Sequence, residues 1–247
     1  MIIAHLAYDT RTLKVCAATC FMWYNIAIPH LHHTLKFRQW SKDDSRKYLH
    51  PLESLHKLDL LSFVKQVQFS KALFGTLWIS PAIFDFEKLQ YFRAMENLQD
   101  LTIPDLDFSK FPMGPVEYFG HFSPTLRSVA LIAPKGARQQ VLGFLKLFPK
   151  LDDVKISDYR AWTEEALDTL PALMEGTLRG RLTLENLDDE VLLKDMIVAY
   201  GGMQFTSMDL HHAQGIQLVL EACADTLETV CIRLDGTPQH RKRVLDL

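Results

Sequence analysis

Chemistry needs groups that can hold a metal, carry a proton or attack a bond, so the ten histidines and four cysteines of this 247-residue chain come first. Cys16 and Cys20 stand four apart, the spacing of one helical face, and His5 precedes them. A structural zinc ion takes four N or S ligands. No fourth ligand stands near these three, so no metal is expected. His32-His33 and His211-His212 are adjacent pairs, and neighbours on a strand point to opposite faces, which makes them poor chelates. Cys223 and Cys231 complete the thiols. None of the four forms a CxxC pair, and so few at irregular spacing read as buried thiols in a reducing compartment. No GxSxG, GxxxxGK(S/T) or HExxH run occurs. The sequence predicts no catalytic residue, no metal and no cofactor, hence a protein that is not an enzyme.

The elements that would have to position any site are announced by a pattern that keeps returning: apolar, two spacers, apolar, one spacer, apolar. It reads Val64, Val67, Phe69; Leu98, Leu101, Ile103; Leu126, Val129, Leu131; Leu151, Val154, Ile156; Phe205, Met208, Leu210; and Leu227, Val230, Ile232. Leu182 and Leu184 keep the last two positions, with Leu178 one residue out of step. Successive middle residues, from Val67 to Val230, are 34, 28, 25, 28, 26 and 22 positions apart. That spacing and pattern are the strand signature of a leucine-rich repeat. The last two apolar residues of each triplet share one face of a strand. One such unit cannot bury that face alone, so copies must stack.

Between the triplets the apolar spacing turns helical. Val141, Leu142, Leu145 and Phe148 mark a helix over 137–148 that Pro149 ends. Thr163, followed by Glu164 and Glu165, can cap another. Leu192, Met196 and Ala199 mark one over 188–200, closed by Gly201-Gly202, and Ile216, Val219, Leu220 and Cys223 one over 214–224. Strands joined through helices run parallel. The expected fold is α/β, an irregular leucine-rich-repeat solenoid with parallel strands inside and helices outside. A doubly wound enzyme alternates in the same way. It would carry glycines where a strand leads into a helix, whereas Pro104-Asp105-Leu106, Ala133-Pro134-Lys135 and Ser157-Asp158-Tyr159 stand here.

Composition narrows the partners. The formal charge of −3 gives no general attraction to nucleic acid. The apolar stretch 15–31 is near the lower length limit for a membrane span, and it contains Thr19, Asn25, Pro29 and His30, so it reads as a buried helix. Asp9, Arg11 and Lys14 interrupt the N-terminal apolar run and argue against a secretory signal. A cytoplasmic or nuclear protein with no membrane and no nucleic-acid partner is expected. The run His240-Arg241-Lys242-Arg243 reads as part of a basic polar tail, 237–247.

The first forty residues read differently. Leu13, Cys16, Ala17, Cys20 and Trp23 or Tyr24 line one side of a helix over 12–24, which Pro29 breaks or restarts. The run Asp9-Thr10-Arg11-Thr12-Leu13-Lys14-Val15-Cys16-Ala17-Ala18-Thr19-Cys20-Phe21-Met22-Trp23-Tyr24 resembles the second half of an F-box. His30-Leu31 and Thr34-Leu35-Lys36-Phe37 resemble the continuation found in fungal F-box proteins, and the triplets resemble the degenerate leucine-rich region of that family. The family's Leu-Pro-x-Glu segment has no counterpart before Met1-Ile2-Ile3-Ala4-His5-Leu6, so the box reads as truncated. Repeats of this class often place Asn or Cys three residues after the last apolar strand position. Leu106, Pro134, Tyr159, Leu187, Ala213 and Asp235 stand there instead, which makes the expected solenoid irregular.

The resemblance implies a truncated F-box-like helical segment over 1–40, a leucine-rich-repeat-like solenoid over 41–236 and the tail. It implies a non-catalytic substrate-receptor subunit of a Skp–cullin–F-box ubiquitin ligase, with Ile3, Leu6, Leu13, Val15 and Trp23 at or behind the contact with a Skp-type adaptor protein. A target protein would meet the concave strand face, where Thr102, Lys155, Thr183, Asp209, His211 and Arg233 are the candidate contacts. A repeat scaffold with no ligase role is the competing reading.

Overall fold

Two apolar residues two apart force a strand with one apolar face. The computed structural model describes residues 9–37, 52–69, 91–108, 119–159, 178–187, 189–200, 202–213, 215–233 and 243–246. In it the last two residues of every triplet lie on a strand. The strands are β1 (Thr34–Phe37), β2 (Gln66–Phe69), β3 (Asp100–Pro104), β4 (Ser128–Ile132), β5 (Asp153–Ser157), β6 (Arg179–Leu187), β7 (Gln204–Ala213), β8 (Thr229–Arg233) and β9 (Arg243–Asp246). They form one sheet in the order β1 to β9, parallel through β8. Val67, Leu101, Val129, Val154, Leu182, Met208 and Val230 are consecutive Cα partners, so the triplets sit in register across the sheet. Among the described strands the order never reverses.

Both ends of the strands repeat as well. At the entry, one carbonyl accepts from two consecutive amides of the next strand. His33 O takes Lys65 N and Gln66 N, Lys65 O takes Gln99 N and Asp100 N, Gln99 O takes Arg127 N and Ser128 N, and Arg127 O takes Asp152 N and Asp153 N, at 2.7 to 3.0 Å. At the exit, Asp105, Ala133, Asp158 and Asn186 all adopt φ between 50 and 54°. Asp105 N donates to Ile132 O at 2.6 Å, Ala133 N to Ser157 O at 2.7 Å, and Asp158 N to Glu185 O at 2.8 Å. Asp and Asn tolerate this left-handed conformation better than most residues. The asparagine-ladder positions that follow are apolar and buried: Leu106, Pro134, Tyr159 and Leu187 all face the core.

The helices cover one face of the sheet. α3 (Arg138–Lys146), α4 (Glu190–Ala199) and α5 (Ile216–Ala222) are each shorter by a residue or more at both ends than the spacing predicts. Val141, Leu142, Leu145, Leu192, Met196, Ala199 and Val219 join the same core as the inward strand residues. Gln140 Oε1 accepts from Ala137 N at 3.0 Å to start α3, and Asp189 Oδ1 accepts from Leu192 N at 3.1 Å to cap α4. Arg138 Nε donates to Asp189 Oδ2 at 3.0 Å, tying the start of α3 to the start of α4. The helix expected after Thr163 lies outside the described residues.

The N-terminal stretch differs from its reading in three respects. The expected helix over 12–24 is two helices, α1 (Thr10–Thr19) and α2 (Phe21–Leu31), separated by an extended Cys20. Thr19 Oγ1 donates to Val15 O at 2.9 Å, a side-chain bond that competes with the helical ladder at its last turn. Pro29 does not break the second helix, which continues to Leu31. The break at Cys20 instead lets the helices fold against each other around Leu13 and Ala27, with Cys16, Ala17, Trp23 and Leu31 beside them, a core separate from that of the sheet. The sheet itself starts at β1, inside the stretch read as the helical segment. At the other end, 243–246 form a strand antiparallel to β8 where a polar tail is expected. An uncovered β8 edge would leave a row of backbone groups unpaired.

Gly180 decides how β6 enters the sheet. Its φ is +83°, the register shifts between Gly180 and Arg181, and a Cβ there would collide with the Asp152 carbonyl oxygen that accepts from Arg181 N. Gly180→Ala is expected to cost about 2 kcal/mol or more in chemical denaturation. Gly143, inside α3 with nothing within 4 Å of a built Cβ, should behave oppositely, Gly143→Ala stabilising by about 1 kcal/mol.

Candidate functional site: the open strand face and the helix pair

Strand side chains alternate, so the residues between the core positions all point away from the helices. They stand in rows set by the register. One row runs Thr102, Ala130, Lys155, Thr183, Asp209, Cys231 across β3 to β8. The next, one pleat further along, runs Ile132, Ser157, Glu185, His211, Arg233. All six expected contact residues therefore lie on one sheet face. Lys155, Thr183, Asp209, His211 and Arg233 gather on β5 to β8, and Thr102 lies two strands from Lys155 across Ala130.

Register turns this face into ion pairs. Lys155 Nζ lies 2.7 Å from Glu185 Oε2. Asp209 Oδ1 is 2.9 Å from His211 Nε2, and Asp209 Oδ2 accepts from Arg233 Nη2 at 3.4 Å. In the row nearest the strand entries, Asp153 is the Cα partner of Arg181. Burial pushes the Asp153 carboxyl up; Asp100 adds to the rise, while Arg181 and Lys155 oppose it. Asp153, Arg181 and Glu185 stand in the rows that aligning the triplets already places on this face, beside the six candidate contacts. Which of these groups come within ion-pair distance is set by side-chain reach across the register, as for Lys155 and Glu185.

A second cluster lies between α3 and α4. Arg138 meets Asp189, and Asp195 is buried beside them, its Oδ2 without a hydrogen-bond partner among the described residues. Burial raises the Asp195 carboxyl, against the Arg138 charge. Tyr159 Oη donates to Gly136 O at 3.2 Å and is pushed up to about 12, first by burial and then by Asp189. These groups are enclosed among the helices and lie off the open face.

The expected adaptor residues separate. Ile3 and Leu6, like His5, lie outside the described residues. Leu13 is fully buried and Trp23 packs beside it, so both hold α1 to α2. Val15 is 63% exposed. Sequence reasoning missed the other exposed apolar residues of the helix pair, Phe21 at 79%, Met22 at 62%, Tyr24 and Ile26. The signal was available, since α2 is apolar around most of its circumference and one side suffices to pack on α1. Arg11 and Lys14 are exposed on α1. Because Cys20 is extended at the junction, Cys16 and Cys20 do not share a helical face. Among the described residues no group of three or more His, Cys, Asp or Glu is placed to hold a metal, and no helix is long and apolar enough to cross a membrane.

The raised Asp153 carboxyl fixes a sign for stability against pH. Above its folded pKa the ionised group is held against a desolvation penalty that the unfolded chain does not have. That penalty is relieved as pH falls through the folded pKa toward the ordinary 3.8. Asp153→Asn should therefore be more stable than wild type at pH 7, with the gap closing by pH 4, as read by urea denaturation at both values.

Comparisons with protein-family models, with curated proteins and with solved structures return no match for this chain.

Proposed function

We propose that this chain is a non-catalytic substrate receptor of a Skp–cullin–F-box ubiquitin ligase, an irregular leucine-rich-repeat solenoid whose open strand face holds a target protein. The observation that carries the reading is the division of labour between two surfaces. The sheet buries one face under helices and leaves the other with rows of mostly polar and charged side chains, interrupted by Ala130, Ile132 and Cys231. The helix pair has its own small core and leaves large apolar side chains exposed. A receptor needs these two things: a broad face for the target and a separate apolar contact for the complex that carries the transferring enzyme. Its contribution to the reaction is orientation and effective concentration.

The sequential parallel order, the triplets in register and the repeated entry and exit bonds support the solenoid reading. The run from Asp9 to Tyr24 and the exposed Val15, Phe21 and Met22 support the adaptor contact. A repeat scaffold without a ligase role would use the same strand face and have no need of the apolar helix surface.

A pull-down of full-length chain with purified Skp-type adaptor separates the two. The wild type is expected to bind stoichiometrically, and Val15→Asp with Phe21→Asp to weaken binding more than about tenfold while the chain stays folded. Leu13→Ala acts differently, lowering stability by about 2 to 5 kcal/mol because it opens the small core. A folded wild type that does not bind the adaptor removes the ligase role.

A further inference from the structure

Methionine is among the residues most often found fully inside a protein. Four of the described methionines follow that rule. Met95, Met196, Met203 and Met208 are at most 3% exposed and belong to the core of the sheet. Met22, in the first turn of α2, is 62% exposed. It stands outside the small core around Leu13 and Ala27. Ile26, one helical turn further on, and Phe21, next in sequence, are exposed as well. Met1, Met113 and Met174 lie outside the described residues.

Exposure decides which thioether a peroxide reaches. The sulfur lone pair attacks one oxygen of hydrogen peroxide, an S–O bond forms and the O–O bond breaks. Hydroxide leaves and takes the proton of the S–OH group. The products are a sulfoxide and water: the sulfur loses two electrons and the peroxide gains them. The change turns a flexible apolar side chain into a polar one. Inside an apolar contact the new oxygen has to be desolvated with no hydrogen-bond donor placed for it, which weakens the contact.

Building on the receptor reading, we infer that Met22 is a peroxide-sensitive modification site and that its sulfoxide closes the adaptor contact of the helix pair. The fold stays intact, because Met22 belongs to neither core. A bound adaptor covers the sulfur, so binding and oxidation exclude each other. The thiols are separable from this effect. Cys223 and Cys231 are buried, while Cys20 is exposed and Cys16 half-buried on the same helix pair. A thiol reductant reverses a sulfenic acid or a disulfide, whereas a methionine sulfoxide needs a sulfoxide reductase.

The test treats full-length chain with hydrogen peroxide, maps the oxidised residues by peptide mass spectrometry, and measures binding to purified Skp-type adaptor after a thiol reductant has been added. Met22 is expected to oxidise at least about tenfold faster than the four buried methionines, and more slowly once the adaptor is bound. The oxidised chain should keep its circular dichroism spectrum and bind at least about tenfold more weakly. Methionine sulfoxide reductase should restore binding. Met22→Leu, which stays apolar, should bind before and after treatment, and Met22→Gln should bind weakly without any peroxide. Oxidation of Met22 no faster than that of the buried methionines overturns the inference. So does an oxidised chain that unfolds or binds as before, a treated Met22→Leu that loses binding, or recovery with the thiol reductant alone. All of these leave the receptor reading standing. Untreated wild type that does not bind the adaptor removes the receptor reading itself, and the switch with it.

Discussion

The structure depends on one constraint: a strand that is apolar on one face cannot cover that face itself, and neighbouring strands with their apolar residues in register, together with the helices over them, complete the cover. Parallel pairing in register satisfies it. Leu101 has Val67 on one side and Val129 on the other, and the same relation passes strand by strand to Val230. A slip of one residue anywhere would turn that strand's apolar set outward and its charged set inward. The entry carbonyls that take two amides each, and the left-handed exits that donate to the next strand, hold each unit at that register from both ends.

The same constraint explains the open face. Because every core residue is committed to the helix side, whatever lies between them is delivered to the other side in rows, and residues more than twenty positions apart in sequence become neighbours. Lys155 and Glu185, or Asp209 and Arg233, are paired by this delivery. Half-buried charge is handled differently. Arg138 and Asp189 join the starts of α3 and α4, where an ion pair is retained only with good geometry, and Asp189 also caps α4. Removing either partner would expose the other to an uncompensated environment.

The helix pair follows separate rules. Its core is a handful of side chains around Leu13 and Ala27, Trp23 the largest of them, too little to hold two helices of ten and eleven residues by itself. Phe21 and Met22 outside that core are the cost of a helix apolar on most sides.

Much of this was legible in residue order. Periodicity placed strands β2 to β8 and helices α3 to α5, because the alternation of two and the spacing of three and four are local and leave a direct trace. Three features were not legible. The break at Cys20 has no glycine or proline to announce it, and it is chosen because folding α1 onto α2 buries Leu13. β1 and β9 carry no full triplet and are strands because a neighbouring edge needs pairing. Leu13 and Trp23 could not be told from contact residues, since an apolar side chain looks the same whether it packs inward or waits for a partner. The sequence by itself determined which residues share a face, because side-chain direction follows from local backbone geometry. Only the tertiary structure decided which faces meet, which charges pair and which apolar residues are left outside, because those depend on contacts between units that no local spacing encodes.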